Sequence, residues 1–469
     1  MIKNDRQLML QTAELLIEYL SENDNADVAI SEYLSADDLQ QCLNLTLDDE
    51  SVSHDRIIDD IKQYLRYCTR TSHPHFMKQL FSGSTSAAIA GDWVTTVTNT
   101  AAHTYQVAPV ATLMEETLIT KLNELVGFES GDGIMVTGGS NANLVGIYCG
   151  LHKRWPDIKQ EGFRGQQPVI YVSDQCHYSY EKAVFTLGIG TNNLRKVNTD
   201  EQNRIDPEAL RLAIIEDLKL GKHPYCIGAT SGTTVAGSFD PLEALADLAD
   251  EFGLWLHVDA AWGGPVLFSE THKHLMRGVE RADSVTWDAH KFMSLPLICS
   301  AILVREHGIL ESACSGGGQA YLFHEDENSD HNYGKKSLQC GRHVDSLKLW
   351  LDWRYKGTHG YRDQLDKSMQ LAQYFVQQVN AHEQLEMILE PDYLNLFFRF
   401  VPDATIDATN RDQLNLDILT KMKENGSFYI DYATVKDQLG IRLVLVNNRI
   451  ETSHLDSLLD EIVDIGNQT

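Results

Sequence analysis

From about residue 130 to 305 the chain alternates short β-rich runs with amphipathic helical runs, and this alternation constrains its fold more than any other feature. DGIMVTGG, PVIYVSD, YCIGATSG, LWLHVDA, DSVTWDAH and ICSAILVRE read as strands bounded by turn residues. Between two of them stands PLEALADLADEFG, whose Leu242, Leu245, Leu248 and Phe252 form one apolar stripe. Asp240 is expected as its N-cap, Pro241 at the first helical position, Glu243 closing a capping box and Gly253 at the C-terminal end. Strands alternating with helices imply a mostly parallel sheet covered on both faces. Ligands of such sheets bind beyond the carboxyl ends of the strands, so the polar residues there are the candidates for chemistry.

The alternation stops near residue 345. HVDSLKLWLDWRYKG and SMQLAQYFVQQVNAHE are helical in pattern, and LNLFFRFVP and GIRLVLVNN are strand-like. Ser453 opens a last helix carrying Leu455, Leu458, Leu459, Ile462 and Ile465. We expect an N-terminal helical arm over 1–90, a large α/β domain over 91–345 and a smaller α+β domain over 346–469, since 469 residues exceed one simple core. The 39 basic residues against 67 acidic ones give a formal net charge of -28. That argues against a nucleic-acid partner and against docking on an anionic membrane. An anionic substrate would need local positive groups. No stretch reads as a signal peptide or a membrane span. Eight scattered cysteines without a Cys-x-x-Cys pair suit free thiols in a reducing cytoplasm. HPH at 73–75 and HKH at 272–274 lack the further ligands that zinc needs, so no metal is expected.

At the strand ends, the turn Gly138-Gly139-Ser140 enters a helix and offers free N–H groups to an anion such as phosphate, although many such turns only cap a helix. His177 follows PVIYVS, and Thr230 follows YCIGA; each is either a polar residue at the sheet rim or a functional one. LWLHVDAAWGG is sharper, because Asp259 ends a strand otherwise built for burial and needs a cation or several donors. The small residues Ala260, Ala261, Gly263 and Gly264 leave room beside it for something flat. One strand–helix–strand step later comes Lys291, whose charge the apolar Phe292, Met293 and Leu295 make costly. Two readings stay open. Asp259 and Lys291 form a direct ion pair, or they grip opposite ends of a pyridine through its ring nitrogen and its aldehyde. Pyridoxal 5'-phosphate (PLP) fits the second reading and accounts for the phosphate turn.

HYS at 177–179, TSGTT at 230–234, GLWLHVDAAWGG at 253–264, SVTWDAHK at 284–291 and QCGRHVDSLKLW at 339–350 resemble the PLP-dependent group II amino-acid decarboxylases. HPHFMKQLFSG, TYQVAPV, LMEE and SGDGIMVTGGS are similar to the glutamate, cysteine sulfinate and aspartate decarboxylase branch. The resemblance covers roughly residues 70 to 465. It implies the aspartate aminotransferase-like fold (fold type I), a homodimer with sites at the subunit interface, and α-decarboxylation of an acidic L-amino acid. It implies that Lys291 carries the cofactor as a Schiff base and that Asp259 pairs with the ring nitrogen. His177 and the Ala261 methyl would cover the two ring faces, and Thr230 would lie near the ring substituents. Gly139, Ser140 and the segment Asp288 to His290 would hold the phosphate. Arg442 would clamp the substrate α-carboxylate, with Gln79 nearby, and Tyr333 would be the loop tyrosine that protonates Cα.

Some positions depart from the pattern. The family's Asn-Pro-His-Lys is Asp288-Ala289-His290-Lys291 here, the loop bearing Tyr333 is shorter than in vertebrate-type members, and Lys78 stands where Asn is usual. Lys78 or His103 could favour an acidic side chain. The competing substrates are L-2,4-diaminobutyrate and an aromatic amino acid; a carboxylate near Lys78 would favour the former. A transaminase or a non-catalytic binding protein of the same fold fits the motifs less well.

Overall fold

The computed structural model describes residues 3–23, 25, 28–317, 321–324, 326–403 and 405–468. The chain forms two compact units. One gathers Met1–Gly83, Leu371–Glu390 and Leu396–Thr469; the other is Ser84–Gln370 with Pro391–Asn395. The first unit is therefore discontinuous in sequence, and positions 90 and 345 both fall inside the second.

The second unit is built on a seven-stranded sheet of order β1-β7-β6-β5-β4-β2-β3. The strands are β1 Asp132–Val136, β2 Pro168–Ser173, β3 Leu194–Val197, β4 His223–Thr230, β5 Trp255–Asp259, β6 Ser284–Asp288 and β7 Ser300–Val304. Strands β3, β2, β4, β5 and β6 run parallel, and β7 runs antiparallel to both β6 and β1. Six of these strands match the runs read from the sequence; the short β3 was not among them. All five residues of β1, β5, β6 and β7 are buried, which agrees with a sheet covered on both faces. The helix Gly139–Arg154 lies close against β5. A Cβ at Gly146 would come within 2.5 Å of His257 Nδ1, so only glycine allows this approach.

The helix Leu242–Phe252 ends at Gly253 in the left-handed region, as expected. Its start differs. Asp240 does not cap it: the buried carboxylate accepts from the backbone N–H of Thr230 (2.7 Å) and Ile205 (2.8 Å). Tertiary donors outcompete the local cap, and burial pushes the Asp240 pKa up to about 6. The helical stretch Asp345–Ala381 is interrupted at Gly357, whose φ of 68° breaks the helical path.

The first unit carries a four-stranded sheet of order β10-β11-β9-β8, with β8 Leu385–Met387, β9 Asn395–Phe400, β10 Asp431–Val435 and β11 Gln438–Val444. Its last helix, Thr452–Gln468, buries the leucines and isoleucines expected there. Helices Lys3–Glu22 and His54–Tyr67 belong to the same unit. The HPH histidines are used internally: His73 Nδ1 accepts from the His75 N–H (3.1 Å), and the His75 ring stacks on Phe428 with its Nδ1 3.0 Å from the Ser427 oxygen. No helix among the described residues is long and apolar enough to cross a membrane.

Candidate active site

The strand register sets the site. Thr230 pairs with Asp259 across β4 and β5, and Asp259 with Thr286 across β5 and β6, so the carboxyl ends align. Asp259 is 6% exposed. Its Oδ2 accepts from Asn143 Nδ2 (2.7 Å) and its Oδ1 from the Ala261 N–H (3.2 Å). The sequence required several donors or a cation; donors are what the fold supplies. Asn143, on the first turns of the helix after β1, is the residue that sequence reasoning missed. Its position four residues after Gly139 was the available signal.

Lys291 does not pair with Asp259. Its Nζ lies 3.2 Å from Asp288 Oδ2, and Asp288 also accepts from Ser300 Oγ (2.6 Å). His290 is buried, with Nδ1 against the backbone of Cys299 and Nε2 3.8 Å from Asp288 Oδ2. A Cβ at Gly139 would stand 2.6 Å from Asp288 Oδ2, so the glycine turn and the lysine-bearing segment meet face to face. Asn141 N and Ala142 N make the first bonds of that helix to Gly138 O, which leaves the preceding N–H groups of Gly139 and Ser140 for an anion.

His177 accepts the Ser179 N–H at Nδ1 (3.2 Å). Burial lowers its pKa, against the opposing pull of Asp259, so the ring is neutral with its proton on Nε2. Ala261 is 4% exposed. Thr230 Oγ1 and Ser231 Oγ are buried with no hydrogen-bond partner among the described residues. Orphaned hydroxyls of this kind are rare unless something else satisfies them. A lysine, a carboxylate with a free lone pair, unpartnered hydroxyls and open helix amides together fit a flat, phosphate-bearing pyridine.

The other unit holds Arg442 against the main chain of Lys78, the residue before Gln79. Arg442 Nη2 donates to the Lys78 carbonyl (3.1 Å), next to Gln79, while its buried Nε has no partner among the described residues. Burial lowers the guanidinium pKa, and Asp431, its partner across β10 and β11, opposes this. Lys78 Nζ lies 3.5 Å from Asp431 and over the Tyr429 ring. Lys78, Tyr429 and Asp431 border a cavity of about 370 Å³.

Tyr333 is placed elsewhere. Its ring belongs to a hydrophobic cluster with Leu310 and Cys314, and is covered by Lys336 Nζ at 4.3 Å. Lys336 in turn binds Asp132, at the opposite end of β1 from Gly139. No described contact joins Tyr333 to Lys291, His177 or Asp259. His103 belongs to this neighbourhood, its carbonyl accepting from Gly334 N (2.9 Å). Asp92, His343 and Asp345 converge as metal ligands would, but Lys348 Nζ already sits 3.2 and 2.9 Å from the two carboxylates and takes the place of a cation.

A model of the pyridoxal-dependent decarboxylase conserved domain matches residues 37–401. Rat cysteine sulfinic acid decarboxylase is 39% identical over 460 residues, covering 96% of this chain and 93% of the rat protein. The human cysteine sulfinic acid decarboxylase is 40% identical over 448 residues, 93% of this chain and 91% of that one. A crystal structure of mouse CSAD is similar with a TM-score of 0.95, at 36% identity and 98% coverage of both chains. The chain belongs to the pyridoxal-dependent decarboxylase family: it is a PLP-dependent amino-acid decarboxylase of group II, in the branch of the glutamate and cysteine sulfinate enzymes.

Proposed function

We propose that the chain removes the α-carboxylate of an acidic L-amino acid, with cysteine sulfinate, aspartate and glutamate as the candidate substrates. The observation that carries this is the likeness, over more than nine-tenths of both chains, to rat and human enzymes named for cysteine sulfinic acid. Two cations on one face, Arg442 and Lys78, suit a substrate with two acidic groups. One feature favours a second substrate. Asp431 beside Lys78 is an acceptor for a side-chain ammonium, as L-2,4-diaminobutyrate carries. Measuring CO2 release from cysteine sulfinate, aspartate, glutamate, diaminobutyrate and tyrosine separates them. Strong preference for diaminobutyrate would overturn the acidic reading.

Bound PLP supplies an electron sink continuous with the substrate's Cα. Lys291 would hold the aldehyde carbon, Asp259 would accept the ring N–H, and His177 and Ala261 would lie against the two faces. Thr230 would donate to the ring substituents. Gly139 and Ser140 would bind the phosphate through their main chain. Within Asp288 to His290 the Asp288 carboxylate already accepts from Ser300 Oγ and faces Lys291 Nζ, so His290 is the side-chain donor there. Arg442 would hold the substrate α-carboxylate beside Gln79. Tyr333 would return the proton to Cα, and its ring must leave the cluster around Lys336 to do so.

A homodimer in the cytoplasm completes the proposal. Trp93, Val94 and Val97 on the helix Ser86–Thr98, with Val107 just before the helix Pro109–Val126 and Val110 and Leu113 on its first turns, are exposed and apolar, and a second copy would cover them. Sedimentation analysis tests this: a dimer dissociated by Val97→Asp with Val110→Asp is expected, and a monomeric parent chain refutes it.

A further inference from the structure

Asp259 stands at the end of a buried row of polar side chains whose hydrogen bonds fit one direction throughout. Trp255 Nε1 can only donate, and it donates to Ser284 Oγ (2.9 Å). The Ser284 hydroxyl hydrogen is then free to point at His257 Nδ1, 2.8 Å away. His257 is fully buried, and burial lowers its pKa to about 4, so the ring is neutral. With Nδ1 accepting, the single ring proton is on Nε2, which donates to Asn143 Oδ1 (3.0 Å). Thr286 Oγ1 donates to the same oxygen (2.7 Å). Asn143 Nδ2 gives its two hydrogens to Ser179 Oγ (2.8 Å) and Asp259 Oδ2 (2.7 Å).

All four hydrogen-bonding positions of the Asn143 amide are thus occupied, and the Asp259 carboxylate, which can only accept, forbids a flip. A flipped amide would turn its oxygen toward Asp259 and its nitrogen toward His257 and Thr286. We propose that His257 and Asn143 are positioning residues for cofactor binding and decarboxylation, acting as a one-way donor relay from Trp255 through Ser284 to Asp259. The relay clamps Asp259 Oδ2 and so turns the remaining lone pairs of the carboxylate to the cofactor's ring nitrogen. This rests on the assignment of Asp259 to that nitrogen. Close approach of the helix at Gly146 is what brings Asn143 within reach of His257.

The test uses the holoenzyme. Imidazole ¹⁵N shifts of His257 in the parent enzyme are expected to show the proton on Nε2; a proton on Nδ1 overturns the relay whether or not any variant folds. His257→Phe keeps a ring but neither donates nor accepts, whereas His257→Gln restores both functions in the same order. His257→Phe is expected to weaken PLP binding about tenfold, to alter the visible absorption of the bound cofactor, and to lower kcat about tenfold with little change in KM. His257→Gln is expected to recover most of each. Equal behaviour of the two variants in affinity, absorption and kcat overturns the relay. The underlying assignment fails separately: if borohydride traps no cofactor on Lys291 in the parent chain, the Asp259 pairing falls with it.

Discussion

The carboxyl edge of the seven-stranded sheet and the Arg442 face of the other unit both gather charged groups, on opposite plans. Around Asp259 every described lone pair and proton of Asn143 is used, and the participants are almost entirely buried. On the β10–β11 face, Lys78 and Asp431 are 29% and 26% exposed at a separation of 3.5 Å, and Arg442 Nε has no partner among the described residues. A saturated, dry network tolerates one ligand geometry, because any displacement strands a buried group. A loose, hydrated ion pair exchanges partners at little cost. The first plan suits a cofactor that never changes, and the second suits a surface that chooses among substrates.

The sharpest way to break this contrast is Lys291→Ala. It is expected to abolish borohydride-trapped cofactor and to lower CO2 release by on the order of 10⁴-fold; trapping at another lysine would remove the sheet edge from the chemistry. Arg442→Ala should lower kcat/KM by roughly 10²- to 10³-fold on every substrate alike, the cost of losing a buried charged partner. A loss confined to one substrate would make Arg442 a selector rather than a common clamp.

Acid should weaken both units over one window. Burial holds His257 and His75 at about 4, below their ordinary 6.5, so the unfolded chain binds more protons between those values. Their contribution to stability is present above pH 6.5 and is lost as pH falls toward 4. For the fully buried His257 it is on the order of 2–3 kcal/mol. Urea midpoints at pH 7 and 4.5 should converge in His257→Gln; an unchanged pH dependence would show that His257 does not titrate as described. The smallest effect belongs to Lys78→Ala. It should move the ratio of kcat/KM for cysteine sulfinate over diaminobutyrate about tenfold, with under about 1 kcal/mol of stability lost. A change of stability without a change of ratio would make the Lys78–Asp431 pair structural.

Local pattern made much of the large sheet legible. Six strands announced themselves by apolar runs, four of them ending in Asp174, Thr230, Asp259 or Asp288, and Asp259 was recognisable as a carboxylate in a place built for burial. The Asp240 cap was misjudged because Thr230 and Ile205 amides, distant in sequence, compete for the same oxygens. Asn143 gave only a weak sign, its place four residues after Gly139, since an asparagine near a helix start usually serves that helix. Lys291 pairing with Asp288 was equally invisible: spacing brought Lys291 to the correct strand end but could not say which carboxylate it would meet.

The sequence by itself determined the strand–helix order, the residues standing at the carboxyl ends of the strands, and the motifs that tie this chain to its family. Those are properties of short stretches, set by side-chain period and turn chemistry. Only the tertiary structure decided which donors hold Asp259, that Arg442 and Lys78 share a face with Asp431, and that Tyr333 packs at the far end of β1. Hydrogen bonds and ion pairs act over a few ångströms of space without regard to distance along the chain. Partners separated by a hundred residues or more, as Asn143 and Asp259 are, become readable only once the chain is folded.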